Sequence, residues 1–274
     1  MKIRALFLAL AVLLPAGVAQ AGTVTVKGSD TMVILGQRWA EEYMKKHGDT
    51  SIQVTGGGSG TGVSSLINGT TDICQSSRSM KPAEKEKLRQ RYSTTGVEIP
   101  VAKDGLAVYV HSSNPMTEIT MAQLKAIYSG KIQNWKDIGG PDKRLIVYSR
   151  ENSSGTYVFF KEHVLEGADF GVRVQTMPGT ASVVNAVSKE VSGIGYGGAA
   201  YAKGIKVLKV KKDDKSPAVM PENKTVQDGS YALSRPLFFY LRNSPAGEIK
   251  SFIDWTLSAE GQALATKVGY YAIK

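Results

Sequence analysis

The chain has 274 residues, 42% hydrophobic and 21% charged, with a formal net charge of +10 and one cysteine. A single cysteine excludes an internal disulfide, so the fold rests on its core, and Cys74 reads as a small buried hydrophobe. The positive charge draws anions of any kind and raises their local concentration. The lysines and arginines are nevertheless scattered among acids ("KPAEKEKLRQR", "LKVKKDDK"), without the basic stripe or interleaved aromatics of a nucleic-acid binder.

The N-terminus reads as an export leader. "MKIR" is basic, "ALFLALAVLL" apolar, and "PAGVAQA" a breaker with small residues at Ala19 and Ala21, so the cut is expected after Ala21. No cysteine stands at the cut to carry a lipid, and no later stretch reaches the roughly 20 apolar residues of a membrane span. Cleavage leaves 253 residues and, with Lys2 and Arg4 gone, a charge of about +8. That length fits one large domain or two smaller ones.

Beyond the leader, β-like runs alternate with helical patterns. "GTVTV" is followed by the turn "KGSDTM" and a helix in which Leu35, Trp39 and Tyr43 lie four apart on one face. "SIQVT" leads through "GGGSGTG" into a helix start, "VSSLINGT". "ICQSSRSM", with a strand starting at Asp72 and Ile73, leads into "KPAEKEKLRQR". After the strand "GLAVYV", the helix "TMAQLKAIYSG" opens on Thr120 as N-cap and closes at Gly130. "RLIVYS" leads through "SRENSSGT" into "YVFFKEHVL". The strands "IKVLKV" and "RPLFFYL" flank a polar loop, and a helix broken around Ser258 and Gly261 ends the chain. The alternation argues for α/β with mostly parallel sheets.

Four of these strand-to-helix turns carry the same chemistry. In α/β sheets such handovers share one edge, the crevice where ligands bind. Each exposes free N–H groups at a helix start, where the dipole is positive. Glycine admits close approach, and hydroxyls add rotatable donors. With the fixed cation of Arg150, the four turns read as a cradle for a small oxyanion. Taken singly, each is an ordinary N-cap.

Enzyme signatures fail. "GGGSGTG" lacks the Lys-[Ser/Thr] of a phosphate loop. "GIGYGG" (193–198) matches G-x-G-x-x-G but follows a helical stretch and opens on no helix. There is no G-x-S-x-G elbow. His47, His111 and His163 have no ligand spacing, so neither a zinc site nor a Ser–His pair is visible.

Taken together, "KGSDT", "GGGSGTGVSSLINGTTDI", "DGLAVYVHSSNP", "LKAIYSGKIQNWKDIGG", "SRENSSGT" and "YALSRPLFFYLR" resemble, in order, the periplasmic phosphate-binding proteins of high-affinity ABC phosphate importers. The resemblance implies an α/β type II periplasmic binding fold, with two lobes joined by two crossing strands around a ligand cleft. Lobe one is expected from 22–105 and 235–274, and lobe two from 106–234, with crossings near Lys103–Leu106 and Tyr231–Arg235. R-x-x-x-S-G-T implies Arg150, Ser154, Gly155 and Thr156 as phosphate ligands. The first turn implies Thr31 and the Met32 N–H, beside Ser29 and Asp30. The second implies Ser59, and the third Ser77 and Arg78.

One position departs from the family, which sets an aspartate after the serine of the third turn to accept the phosphate proton; here that residue is Arg78. Its expected roles are a second cation for the anion or a partner for Asp72 or Asp30. Asp30 is the substitute acceptor, its alternative being a plain N-cap. Sulfate carries no proton, so a buried acceptor rejects it by leaving a lone pair unpartnered.

The expectation is a non-enzymatic, periplasmic, monomeric protein that delivers inorganic phosphate to an ABC permease, without cofactor, metal, nucleic acid or lipid anchor. The alternatives are a binder of sulfate, molybdate or tungstate, an exported phosphate-ester enzyme, or an interaction protein that has lost its ligand.

Overall fold

The computed structural model describes residues 22–273; the expected leader, residues 1–21, lies outside them. The chain runs β1 (Gly22–Gly28), α1 (Val33–Lys46), β2 (Thr50–Thr55), α2 (Ser59–Asn68), β3 (Ile73–Ser76), α3 (Pro82–Tyr92) and β4 (Val97–Val110). It continues through β5 (Glu118–Thr120), α4 (Met121–Tyr128), β6 (Ile146–Arg150), α5 (Gly155–His163), β7 (Gln175–Met177), α6 (Gly179–Lys189) and β8 (Gly193–Gly198). Last come β9 (Lys206–Lys211), α7 (Asn223–Gln227), β10 (Ser234–Leu241), α8 (Gly247–Leu257) and α9 (Ala259–Val268). No helix among the described residues is long and apolar enough to cross a membrane.

The strands follow one path, β2-β1-β3-β10-β4-β8-β6-β7, with β9 beside β4 and β5 beside β9. The βαβ units pair in parallel, β1 with β2 and β3, β6 with β7 and β8. The long strands β4 and β10 run antiparallel to each other and to their neighbours, so the sheet is mixed where mostly parallel pairing was expected. β4 changes partner midway: Val97 to Gly105 pair with β10, Leu106 to Val110 with β8.

Separate apolar clusters flank that change. Leu35, Trp39 and Tyr43 of α1 pack with Val24, Val26, Phe239 and Phe252, while Val63, Leu66 and Leu88 fill the opposite face of the same half. Beyond the change, Leu106, Val108, Phe160 and Tyr196 centre a second core. The four-residue spacing of α1 becomes burial because i and i+4 share a helix face.

Local signals act as their chemistry dictates. Thr120 Oγ1 accepts from the Gln123 N–H at 3.1 Å, capping α4, and Gly130 follows its end with φ +83°. The C-terminal break falls at Ser258, which caps α9; Gly261 lies inside α9, where a Cβ would stand 2.4 Å from the Trp255 carbonyl oxygen. "GIGYGG" is the wholly buried strand β8.

Candidate anion-binding site

The first turn is drawn tight by Gly28, whose φ of +146° only glycine holds easily and where a Cβ would lie 2.1 Å from the Gln75 carbonyl. Ser29 N–H donates to that carbonyl at 2.8 Å, which sets the end of β1 beside the end of β3. Ser29 Oγ then donates to Ser77 Oγ at 2.9 Å, and the Ser77 N–H to Ser59 Oγ at 3.1 Å. Three of the expected hydroxyls thus meet on one side, all buried.

The fourth turn closes on them from the other half. A Cβ on Gly155 would stand 2.3 Å from Ser59 Oγ and 2.7 Å from Ser77 Oγ, so only glycine lets α5 begin here. Gly60 N–H donates to the Ser153 carbonyl at 2.8 Å, and Thr31 Oγ1 lies 2.9 Å from Thr156 Oγ1. Ser154 Oγ accepts from the N–H groups of Thr156 and Tyr157, capping α5, and its own O–H is left to donate.

Arg150 is 1% exposed. Its Nη1 donates to Thr180 Oγ1 (2.7 Å), its Nη2 to Asp30 Oδ2 (2.8 Å) and Glu151 Oε1 (3.1 Å), and its Nε to Glu151 Oε2 (3.3 Å). Burial disfavours the Glu151 carboxylate, yet the Arg150 bonds and charge hold it below the usual carboxylate range. Asp30 is no N-cap: it sits inside a short 3-10 turn, and Oδ1 reaches across to accept from the Gly57 N–H at 2.8 Å. Tyr201 donates to the Asp30 carbonyl at 2.6 Å and Tyr270 to that of Thr31, pinning the turn. Burial pushes the Tyr201 phenol up to about 12, so it stays a donor.

Two expectations change. The Met32 N–H is already donated to the Ser29 carbonyl at 3.0 Å, because the 3-10 turn closes on itself there. Arg78 neither turns to the cradle nor pairs with Asp72 or Asp30. Its guanidinium forks onto Glu84 at 2.7 and 2.8 Å and donates to the Ser79 carbonyl, because Glu84 stands in the first turn of α3 only six residues on. Asp72 instead accepts from Thr25 N–H and Oγ1, both at 2.8 Å.

The sequence reading missed Asp104 and Arg235 as site residues. They face each other across β4 and β10, 1% and 3% exposed. Arg235 Nε and Nη2 donate to Asp104 Oδ2 at 3.1 and 2.8 Å, and Nη2 also reaches Thr156 Oγ1 at 3.0 Å and Thr31 Oγ1 at 3.4 Å. The signal was opposite charges inside two apolar strands, "AKDGLAV" and "SRPLFF", which is costly unless they pair. Arg235 also lies 5.2 Å over the Phe159 ring.

The fixed charges of this cluster are Arg150 and Arg235 against Asp30, Glu151 and Asp104. Hydroxyl donors therefore surround a centre whose cations are already matched. Among the described residues no group of three His, Cys, Asp or Glu is placed to hold a metal. His47 stacks on Tyr43 and His163 on Phe159, and no histidine hydrogen-bonds to a cradle serine.

Two α/β halves that share crossing strands and enclose buried hydroxyls and arginines define a two-lobed substrate-binding protein. The family model described as the PBP superfamily domain matches residues 15–260. The phosphate-binding protein PstS of Pseudomonas aeruginosa is 34% identical over 91% of this chain and 82% of its own length. That of Staphylococcus epidermidis is 36% identical over 92% of this chain and 79% of its own. A Clostridium perfringens structure of a phosphate ABC transporter substrate-binding protein with bound phosphate superposes with a TM-score of 0.84, at 32% identity, covering 92% of this chain and all of that one. The chain belongs to the PBP superfamily and, within it, to the family of the phosphate-binding proteins PstS.

Proposed function

We propose that this protein captures inorganic phosphate in the cleft and hands it to an ABC permease. The supporting observation is the charge match of the cluster: Arg150 faces two carboxylates and Arg235 a third. An oxyanion without a proton meets surplus carboxylate there. Phosphate near neutral pH brings a proton for a carboxylate to accept, and its remaining oxygens take the hydroxyl and N–H donors. The names of the PstS relatives and the bound phosphate of the Clostridium perfringens protein point the same way.

In this reading Ser29, Thr31, Ser59, Ser77, Ser154, Gly155 and Thr156 supply donors, Arg150 supplies charge, and Asp30 accepts the proton. Residues 22–105 with 235–274 form one lobe and 106–234 the other, and they hinge where β4 and β10 cross. The anion favours the closed form because it contacts both lobes at once. The protein works in the periplasm as a monomer, after loss of residues 1–21, and it performs no chemistry on its ligand.

The test is capture of radiolabelled phosphate by the anion-stripped protein, run beside a phosphate-ester hydrolysis assay. Stoichiometric retention with no turnover is expected. Failure to retain phosphate, or metal-dependent hydrolysis, would overturn the proposal.

A further inference from the structure

A cavity of about 400 Å³ opens onto the second core, between the end of α4, the loop into β6 and the segment before β7, and shares no residue with the cradle. Its floor is apolar: Ile127, Leu145 and Val147 are buried, and Phe170 packs edge-on to Tyr128. Its walls are tied together. Gly171 N–H donates to the Tyr128 carbonyl at 2.8 Å, and Leu145 N–H to the Gln133 carbonyl at 2.9 Å. Gln133 Nε2 donates to the Gly130 carbonyl at 3.0 Å, while its Oε1 accepts from Arg173 Nη1 at 2.5 Å. Two exposed arginines, Arg144 and Arg173, belong to the lining, and no carboxylate does. The acids nearest them in sequence, Asp142 and Asp169, pair instead with Lys136 and Lys161.

A preformed hollow of this size, mostly apolar with a few polar groups to fix orientation, is the usual form of a small-molecule site. A solvated arginine needs no acid partner. Two on the rim of one apolar hollow that no acid lines nevertheless set a charge preference for whatever enters. The occupant is small rather than a protein surface. Val172 is the one fully exposed large apolar side chain at the mouth, and a protein interface needs a far wider apolar patch. We propose that this cavity binds a small amphiphilic monocarboxylate, its apolar body over Leu145 and Phe170 and its head at the arginine rim. Either guanidinium can take the head in a two-bond fork, so the site does not require both on one carboxylate.

The proposal does not rest on the anion the cradle selects. Equilibrium dialysis of the full chain with labelled octanoate, competed by acetate, 1-octanol and octylammonium, tests it. One octanoate should bind per chain. Acetate lacks the body and octylammonium carries the wrong charge, so neither should displace it, and 1-octanol should need about tenfold more or above. The double variant Arg144→Gln/Arg173→Gln should weaken octanoate by about tenfold or more and leave 1-octanol unmoved. Val172→Asp, which sets an acid at the mouth, should weaken octanoate as well. All three positions are exposed, so the melting curve should stay that of the wild type. No octanoate bound in the wild type would overturn the proposal and leave the cavity to an apolar side chain of a protein partner. Octanol binding as tightly as octanoate, or an octanoate affinity unmoved by the substitutions, would overturn it too. Octanoate held by a protein that retains no phosphate would leave it standing and sink the phosphate reading instead.

Discussion

Replacing Asp104 by alanine removes the carboxylate that takes two bonds from Arg235 and leaves that guanidinium buried among Phe159, Thr31 and Thr156. Both partners are almost fully excluded from water, so the loss is not softened as at a surface pair. Removing one member of such a pair costs about 3–5 kcal/mol, mostly the penalty of the orphaned charge. In a protein of this size that is on the order of 10 °C in Tm. The assay is thermal and urea unfolding of the anion-stripped protein, with the double variant Asp104→Leu/Arg235→Met alongside. The single substitution should fall by the full amount and the double recover most of it, since a pair removed whole leaves no bare charge. A single-variant loss below about 1 kcal/mol, the size of an exposed pair, would refute the reasoning.

Asp30→Asn should lower the preference for phosphate over sulfate by roughly ten- to a hundredfold, as expected for one lost acceptor in a half-buried site; an unchanged ratio in competition dialysis would remove Asp30 from the proton-accepting role. Gly155→Ala puts a methyl 2.3 Å from Ser59 Oγ, so phosphate affinity should drop at least tenfold and stability should fall by the roughly 1–3 kcal/mol of an overpacked buried site; calorimetry with a melting curve checks both. Burial works against the Glu84 carboxylate, but the Arg78 fork and the Lys81 N–H hold it below its ordinary 4.5. A lowered folded pKa stabilises above that value and is lost as pH falls through the folded one. Glu84→Gln should therefore flatten the acid limb of the stability profile below about pH 4.5; an unaltered limb in urea midpoints from pH 3 to 7 would contradict the assignment.

Much of the architecture was legible because local chemistry and global packing agree in this chain. The Leu35–Trp39–Tyr43 stripe, the Thr120 cap and the four hydroxyl-bearing turns each state their structure within a few residues. Arg150 and the Ser154–Gly155–Thr156 start of α5 were readable for the same reason, since a strand, a cap and a helix adjoin them. What could not be read was pairing across distance. Arg78 meets Glu84 because helix α3 begins at Pro82, and a carboxylate in a first turn looks like a dipole partner before it looks like an ion-pair partner. Asp104 and Arg235 are 131 positions apart, and their register appears only once β4 and β10 cross. Crossings near Lys103–Leu106 and Tyr231–Arg235 were expected from the resemblance, but their antiparallel direction was hidden in the residues because Lys103 and Asp104 interrupt the apolar run in that part of β4.

The central claim is that the cradle recognises phosphate by its proton as well as its charge. Calorimetric titration of the anion-stripped mature protein with phosphate and then sulfate, from pH 5 to 9, tests it most directly. The account predicts tight phosphate binding in the cradle with sulfate unable to displace it. Comparable affinity for the two anions in the cradle, or a preference for sulfate, molybdate or tungstate, would contradict it.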